Sequence, residues 1–277
     1  MENLEELQSI ITDKTREFGA DMAGIVNLHE LRCAPAYQIT PRIGYYADGD
    51  QEKEREIRRE PSHWPEGAKS ALVIAIEHPA GEPQLDWWQT KRGSVGNTEG
   101  NRQLIRTMAK LAEWLQGELG IRCFKIPYNV ESGGVFMKDA AVLAGLGCIG
   151  KNNILVTPEF GPRVRLRVLL LAKDLPSTGV VDFDPCADCA EPCRRVCPQE
   201  AFAEQLYTPE EFGLESLPGQ SGVYNRQRCN IQMVKNESEA VVADGGDAGA
   251  GDASTMDTME LVKYCRKCEL ACPVGSA

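Results

Sequence analysis

The sequence predicts an α/β sheet domain over residues 1–178 followed by a small, cysteine-rich α+β domain over residues 179–277. Helical and strand-sized apolar segments alternate through the first region, as a layered α/β domain requires. Eight of the chain's eleven cysteines then fall between Cys186 and Cys272, where prolines and short segments replace the apolar runs. The composition, 42% hydrophobic and 26% charged over 277 residues, is that of a globular chain long enough for one large domain and one small one.

Residues 4–18 place Leu4, Leu7, Ile10 and Ile11 at helical spacing and stop before Gly19, a C-capping residue type. Residues 71–76 (ALVIAI), introduced by Gly67 and ended by Pro79, form the continuous apolar run of a buried strand. A long helix is predicted over 98–119, with Leu104, Ile105, Met108, Leu111, Ala112 and Leu115 on one face. A strand over 121–126, a helix over 136–143, an extended stretch over 154–156 and a Leu/Val-rich strand over 165–172 complete the domain. Residues 236–257 are acidic, rich in Gly and Ala and without aromatic side chains, which predicts a flexible loop.

The formal charge of −11 and pI of about 4.9 oppose binding to a phosphate backbone, so tRNA and DNA are disfavoured partners. The N-terminus is acidic rather than basic-then-apolar, and no apolar run approaches the roughly 20 residues that cross a bilayer. No membrane association and a cytoplasmic location are expected. In such a reducing compartment eleven cysteines point to metal ligation or redox chemistry rather than disulfides.

The run Cys186, Cys189, Cys193, Cys197-Pro198 follows the bacterial ferredoxin pattern, with one extra residue in the second gap, so its turn must be slightly enlarged. Cys265, Cys268 and Cys272-Pro273 repeat the ending, and Cys229 stands between the groups. Eight cysteines are what two 4Fe-4S clusters require. Because the cysteine before proline crosses to the other cluster in such pairs, one cluster is assigned to Cys186, Cys189, Cys193 and Cys272 and the other to Cys197, Cys229, Cys265 and Cys268. A pair of four-cysteine zinc sites also uses two-residue gaps, but the twice-repeated Cys-Pro crossover belongs to bacterial ferredoxins.

Residues 145–152 (GLGCIGKN) satisfy the GxGxxG string and nearly match the end of a P-loop. Each of those motifs needs a strand leading into the loop, whereas a helix is predicted here, so neither nucleotide reading holds. A helix C-cap followed by a turn is the plain alternative.

Residues 130–171 resemble the cofactor-binding core of epoxyqueuosine reductases and of corrinoid reductive dehalogenases. AGLGCIGKN over 144–152 is similar to the first family's AGLGWIGKN, and TPEFGPRVRL over 157–166 is close to the second's. With the cysteines, the resemblance covers roughly residues 67–273. It implies a nitroreductase-like or cobalamin-processing-like sandwich holding a cobalamin fed by the two clusters, with Gly145, Gly147, Gly150, Lys151 and Asn152 against the corrin. The three histidines, His29, His63 and His78, lie in no DxHxxG motif, so a base-off corrin is expected. In VESGGV, residues 130–135, Glu131 stands where epoxyqueuosine reductases have an aspartate that supplies a proton; the alternative is a solvated carboxylate near the helix starting at Phe136.

Cys148 replaces a tryptophan common in that loop, and the chain ends soon after Cys272, where epoxyqueuosine reductases continue into a helical region that helps hold tRNA. The resemblance thus implies a cobalamin-dependent reductase acting on a small-molecule substrate and supplied by a low-potential donor of ferredoxin or flavodoxin type. The other readings are an electron-transfer or reductive-activator protein without substrate chemistry of its own, and a flavin or other cofactor in the same domain.

Overall fold

The computed structural model describes residues 3–43, 62, 64–89, 98–213, 221–243 and 259–275. The chain opens with helix α1 (Leu4–Glu17), capped by Asn3, and strand β1 (Met22–Asn27). Helices α2 (Leu28–Arg32) and α3 (Pro35–Ile43), strand β2 (Ser70–Glu77) and the short strand β3 (Trp87–Gln89) follow. Helix α4 (Glu99–Glu118) starts at Thr98, whose hydroxyl accepts from Asn101 N at 3.2 Å. Then come β4 (Cys123–Lys125), α5 (Met137–Leu143), the hairpin β5 (Cys148–Ile149) and β6 (Leu155–Val156), and β7 (Val164–Leu171).

Four of these strands form one sheet in the order β1-β2-β7-β4, and every pairing is antiparallel. Its centre is the full-length pairing of β2 with β7, from Ser70 opposite Leu171 to Glu77 opposite Val164. Period-2 alternation splits these strands between two cores. Leu72, Ile74, Ile76, Leu169 and Leu171 meet α1 and α4 on one face, while Ala71, Val73, Ala75, Val168 and Leu170 meet α2 and α5 on the other. Burial on both faces is why β2 and β7 read as continuous apolar runs.

The two faces differ in side-chain size. Small residues line the α5 face (Ala71, Ala75, Ala140, Ala141 and Ala144), so α5 sits close to the sheet and carries the following glycine loop with it. Gly24 in β1 is required by this approach, because a Cβ there would collide with Ala144 O and lie 2.9 Å from Leu146 Cδ1.

The cysteine-rich part adds α6 (Pro192–Arg195), α7 (Pro209–Phe212), α8 (Arg226–Ser238), β8 (Val241–Ala243), β9 (Met259–Lys263) and α9 (Lys267–Leu270). The flexible loop expected over 236–257 begins later than its composition indicates: residues 236–238 end α8, and β8 pairs with β9, Val241 opposite Leu261. Two valines supply strand preference that the Gly/Ala-rich average over the segment conceals. Residues 244–257 lie outside the described residues. On its other edge β9 pairs with β3, Trp87 opposite Lys263, so one sheet joins strands from both halves of the chain. Among the described residues no helix is long and apolar enough to cross a membrane.

Gly24→Ala is expected to destabilise the protein by about 1–3 kcal/mol, the usual cost of overpacking a closed core. The shift of the urea midpoint relative to wild type measures it; an unchanged midpoint would show that α5 is free to back away from the sheet.

Candidate metal centres

Cys193 lies on α6 and Cys268 on α9, two short helices that pack against each other, and the remaining cysteines approach from the flanking turns. Cys193 shares its surroundings with Cys186, Cys189 and Cys272: burial first, then repulsion from these thiolates, pushes its thiol up to about 11. Cys268 shares its surroundings with Cys229, Cys265 and Cys197, and burial followed by their repulsion pushes it up to about 12. Thiols so placed are protonated at neutral pH until a metal takes the proton's place.

The first set, Cys186, Cys189, Cys193 and Cys272, lines one small cavity together with Lys151, Asn152, Val156 and Glu191. Among the described residues no three Cys, His, Asp or Glu side chains close in tightly enough to grip a single metal ion. The extra residue in the second cysteine gap is absorbed by Glu191, which takes the left-handed conformation (φ 56°, ψ 46°) and turns the chain into α6. Its carboxylate, 2.9 Å from Lys151 Nζ and 3.3 Å from Arg194 Nη1, offsets some of the strain of that conformation.

In the second set, donors already point at sulfur. Ala201 N donates to Cys197 Sγ at 3.3 Å, and the hydroxyl of the half-buried Tyr224 hydrogen-bonds the Cys229 thiol. Lys138, pulled down to about 8 chiefly by burial, donates to Asn153 O at 2.6 Å and lies near the Cys229 thiolate and Arg226.

Cys272, the last ligand candidate, is tied to the sheet domain by the 157–163 turn. Thr157 and Gly161 exchange backbone hydrogen bonds, and a Cβ on Gly161 would collide with Val274 O. The buried Arg163 guanidinium then donates to Cys272 O at 3.3 Å and Val274 O at 2.5 Å. Beside it runs a charge network. Asp86 accepts from Arg165 Nε at 2.8 Å, lies 2.8 Å from His78 Nδ1 and pairs with Arg266 at 3.0 Å; Glu269 pairs with both Arg165 and Arg266. Burial by itself would raise the Asp86 carboxyl, but the His78 hydrogen bond and the two guanidinium groups outweigh it and hold it below the ordinary range. None of these five residues stands out in the sequence, because the partners are far apart in the chain and belong to no motif.

The glycine loop follows the C-cap of α5, as the plain reading of residues 145–152 has it, with Gly145 at φ 76°. A Cβ on Gly145 would lie 2.7 Å from Gly179 O, one on Gly147 would collide with Val156 O, and one on Gly150 would lie 2.7 Å from Val156 Cγ2 and 2.9 Å from Asn152 Oδ1. These glycines are therefore required by the loop's own packing. Lys151 and Asn152, for which corrin contact is also an expectation, both lie beside the cysteines: Lys151 pairs with Glu191, and Asn152, 3% exposed, lines the first set's pocket. Cys148 feels the charges of Cys186 and Cys272 beside its own burial, which pushes it up to about 12.

Glu131 lies in a 3-10 turn over Val130–Ser132, one turn of chain before α5, which begins at Met137 rather than Phe136. Its side chain lies outside the described residues, as does His63; His78 is wholly buried against Asp86.

No protein-family model matches the chain. The chain is similar to epoxyqueuosine reductases and to reductive dehalogenases. The epoxyqueuosine reductase of Lactococcus garvieae is 26% identical over 203 residues, which are 72% of this chain and 56% of that protein. The tetrachloroethene reductive dehalogenase of Sulfurospirillum multivorans is 40% identical over 87 residues, 30% of this chain and 16% of that protein. The chain thus spans about half the length of the epoxyqueuosine reductase relative. An epoxyqueuosine reductase solved with an epoxyqueuosine-modified tRNA stem loop superposes with a TM-score of 0.61 at 19% identity, covering 99% of this chain and 67% of that one, and shows that the fold is shared.

That complex overturns the expectation, drawn from charge, that tRNA is a disfavoured partner. Net charge sums the whole surface, whereas a stem loop is held by whichever local cations reach its phosphates, so a value of −11 rules out no such patch.

Asp86→Asn is expected to cost about 3 kcal/mol, the low end for breaking a buried ion pair, because it leaves Glu269 to balance both the half-buried Arg165 and the buried Arg266. The depressed carboxyl sets the sign with pH: its contribution is complete above the unfolded carboxylate range, about pH 3.9, and is lost as pH falls through the lower folded value. Comparing the stability of the variant and wild type at neutral pH checks this, and a difference within error would show that the network adds nothing.

Proposed function

We propose that this protein is an iron-sulfur oxidoreductase with two 4Fe-4S clusters, one on Cys186, Cys189, Cys193 and Cys272 and one on Cys197, Cys229, Cys265 and Cys268. The clusters deliver electrons to a base-off cobalamin in the α/β domain, and the protein acts as a reductase. The single observation that carries this reading is the gathering of eight cysteines, spread over 87 residues of chain, into two groups of four, the first around a cavity. Similarity to two kinds of reductase supports the assignment to redox chemistry.

The residues present fit the clusters. Arg163 holds the Cys272 segment, Glu191 shapes the enlarged turn, and Ala201 N and Tyr224 offer hydrogen bonds to sulfur of the kind that raise a cluster's potential. When bound, the clusters supply one-electron transfer. A second reading, an electron-transfer or reductive-activator protein, is favoured by one observation: the packing of the loop already accounts for its glycines without a macrocycle.

Anaerobically purified protein is expected to hold about eight irons and eight acid-labile sulfides, and Cys197→Ala to lose one cluster. Half that iron in the wild type, or stoichiometric zinc, ends the two-cluster assignment. Visible spectra before and after incubation with cobalamin separate the two readings, since bound corrin adds sharp bands to the broad iron-sulfur absorption; their absence selects electron transfer.

Glu131 is proposed as the proton donor, by its position in VESGGV and its place on a short turn ahead of α5. Glu131→Gln is expected to keep both clusters and lose at least about 10² in turnover, the usual worth of a general acid. Turnover near wild type would assign Glu131 to the solvated turn alone.

A further inference from the structure

Asn152 is 3% exposed, and one end of its carboxamide is already committed: Oδ1 accepts from Ile154 N at 3.2 Å. That bond fixes the orientation of the amide and leaves Nδ2, a donor with no acceptor capacity, buried without a partner. Leaving a buried donor unsatisfied is destabilising. The protein nevertheless builds its surroundings around this side chain. Gly150 is bare where a Cβ would come within 2.9 Å of Asn152 Oδ1 and 3.6 Å of Cys186 Sγ, and Asn152 lines the same cavity as Cys186, Cys189, Cys193 and Cys272.

We propose that Asn152 Nδ2 is a hydrogen-bond donor to the sulfur of the cluster held by Cys186, Cys189, Cys193 and Cys272, and that it sets this cluster's reduction potential above that of an undonated site. The inference rests on the two-cluster reading and adds a tuning role that this reading does not require. A cluster that takes up one electron becomes more negative, and its sulfurs become better acceptors. A donor fixed at the cavity wall therefore stabilises the reduced form more than the oxidised form. Asn152 is a positioning and tuning residue; it is not a ligand.

Redox titration of the iron-loaded full chain, followed by EPR, tests this with two variants. Asn152→Asp keeps the oxygen that accepts from Ile154 N and replaces the donor with a charged acceptor; Asn152→Leu removes the donor at similar volume. Both are expected to make one cluster harder to reduce by on the order of tenfold in the reduction equilibrium, which is about 59 mV for a one-electron couple, with Asp the larger effect. The couple that moves is the one whose signal Cys189→Ser alters, and the other cluster stays in place. Unchanged potentials in fully iron-loaded variants overturn the proposal, as does a shift confined to the other cluster. Loss of iron from both variants with no shift in the cluster that remains shows a purely structural side chain and also overturns it. Wild-type protein without two clusters instead removes the reading on which the proposal rests.

Discussion

The anchoring of the Cys272 segment to the sheet is the constraint on which the candidate site depends. The first cysteine set draws three members from residues 186–193 and the fourth from a helix end about eighty residues later, so the set exists only where both stretches are held to a common frame. Arg163 provides this from immediately before β7, and Arg165, inside the strand, extends it through Asp86, Glu269 and Arg266. Burying guanidinium groups at the end of a central strand is costly unless each charge is matched. Here two cations share two carboxylates, with His78 as a further partner of Asp86.

The same constraint explains the chain's close turns. A cysteine set can be rigid only if the backbone around it is also rigid, and in this region rigidity comes from contacts that admit no Cβ: Gly161 against Val274, Gly147 against Val156, Gly150 between Val156 and Asn152. The short hairpin of β5 and β6 packs against α5, and its connecting loop brings Gly150 up to Cys186. Gly24 extends this contact to the first strand, because Ala144 and Leu146 close over it immediately before the loop begins.

Legibility in the sequence followed the range of the interactions. α1, α4, β2 and β7 were readable because their apolar periodicity is local and long, and the cysteine sets because ligand spacing is chemistry written along the chain. β1 was not read, since MAGIVN carries a glycine whose need is visible only once Ala144 lies across it. β8 was lost in the average composition of its segment, and β3 has only three residues whose pairing partner, β9, stands far along the chain. The charge network has no sequence signature at all: Asp86 and Glu269 look like ordinary acidic residues until Arg165 is placed between them. Lys151 and Asn152 were legible as unusual, but their place beside the first cysteine set was not, because a resemblance indicates that a loop matters without indicating which other parts of the chain it meets.

That face is decided by the alanines of α5. With larger side chains at Ala140, Ala141 and Ala144 the helix would stand off the sheet, and the loop beyond it would move away from Val156 and the cysteines together. The small-residue face is thus what lets one loop serve two neighbours at once, the sheet through Leu146 and the first cysteine set through Gly150 and Asn152. The part of the chain resembling a cofactor-binding loop is therefore also the wall of the candidate cluster site, and a change in its packing acts on both.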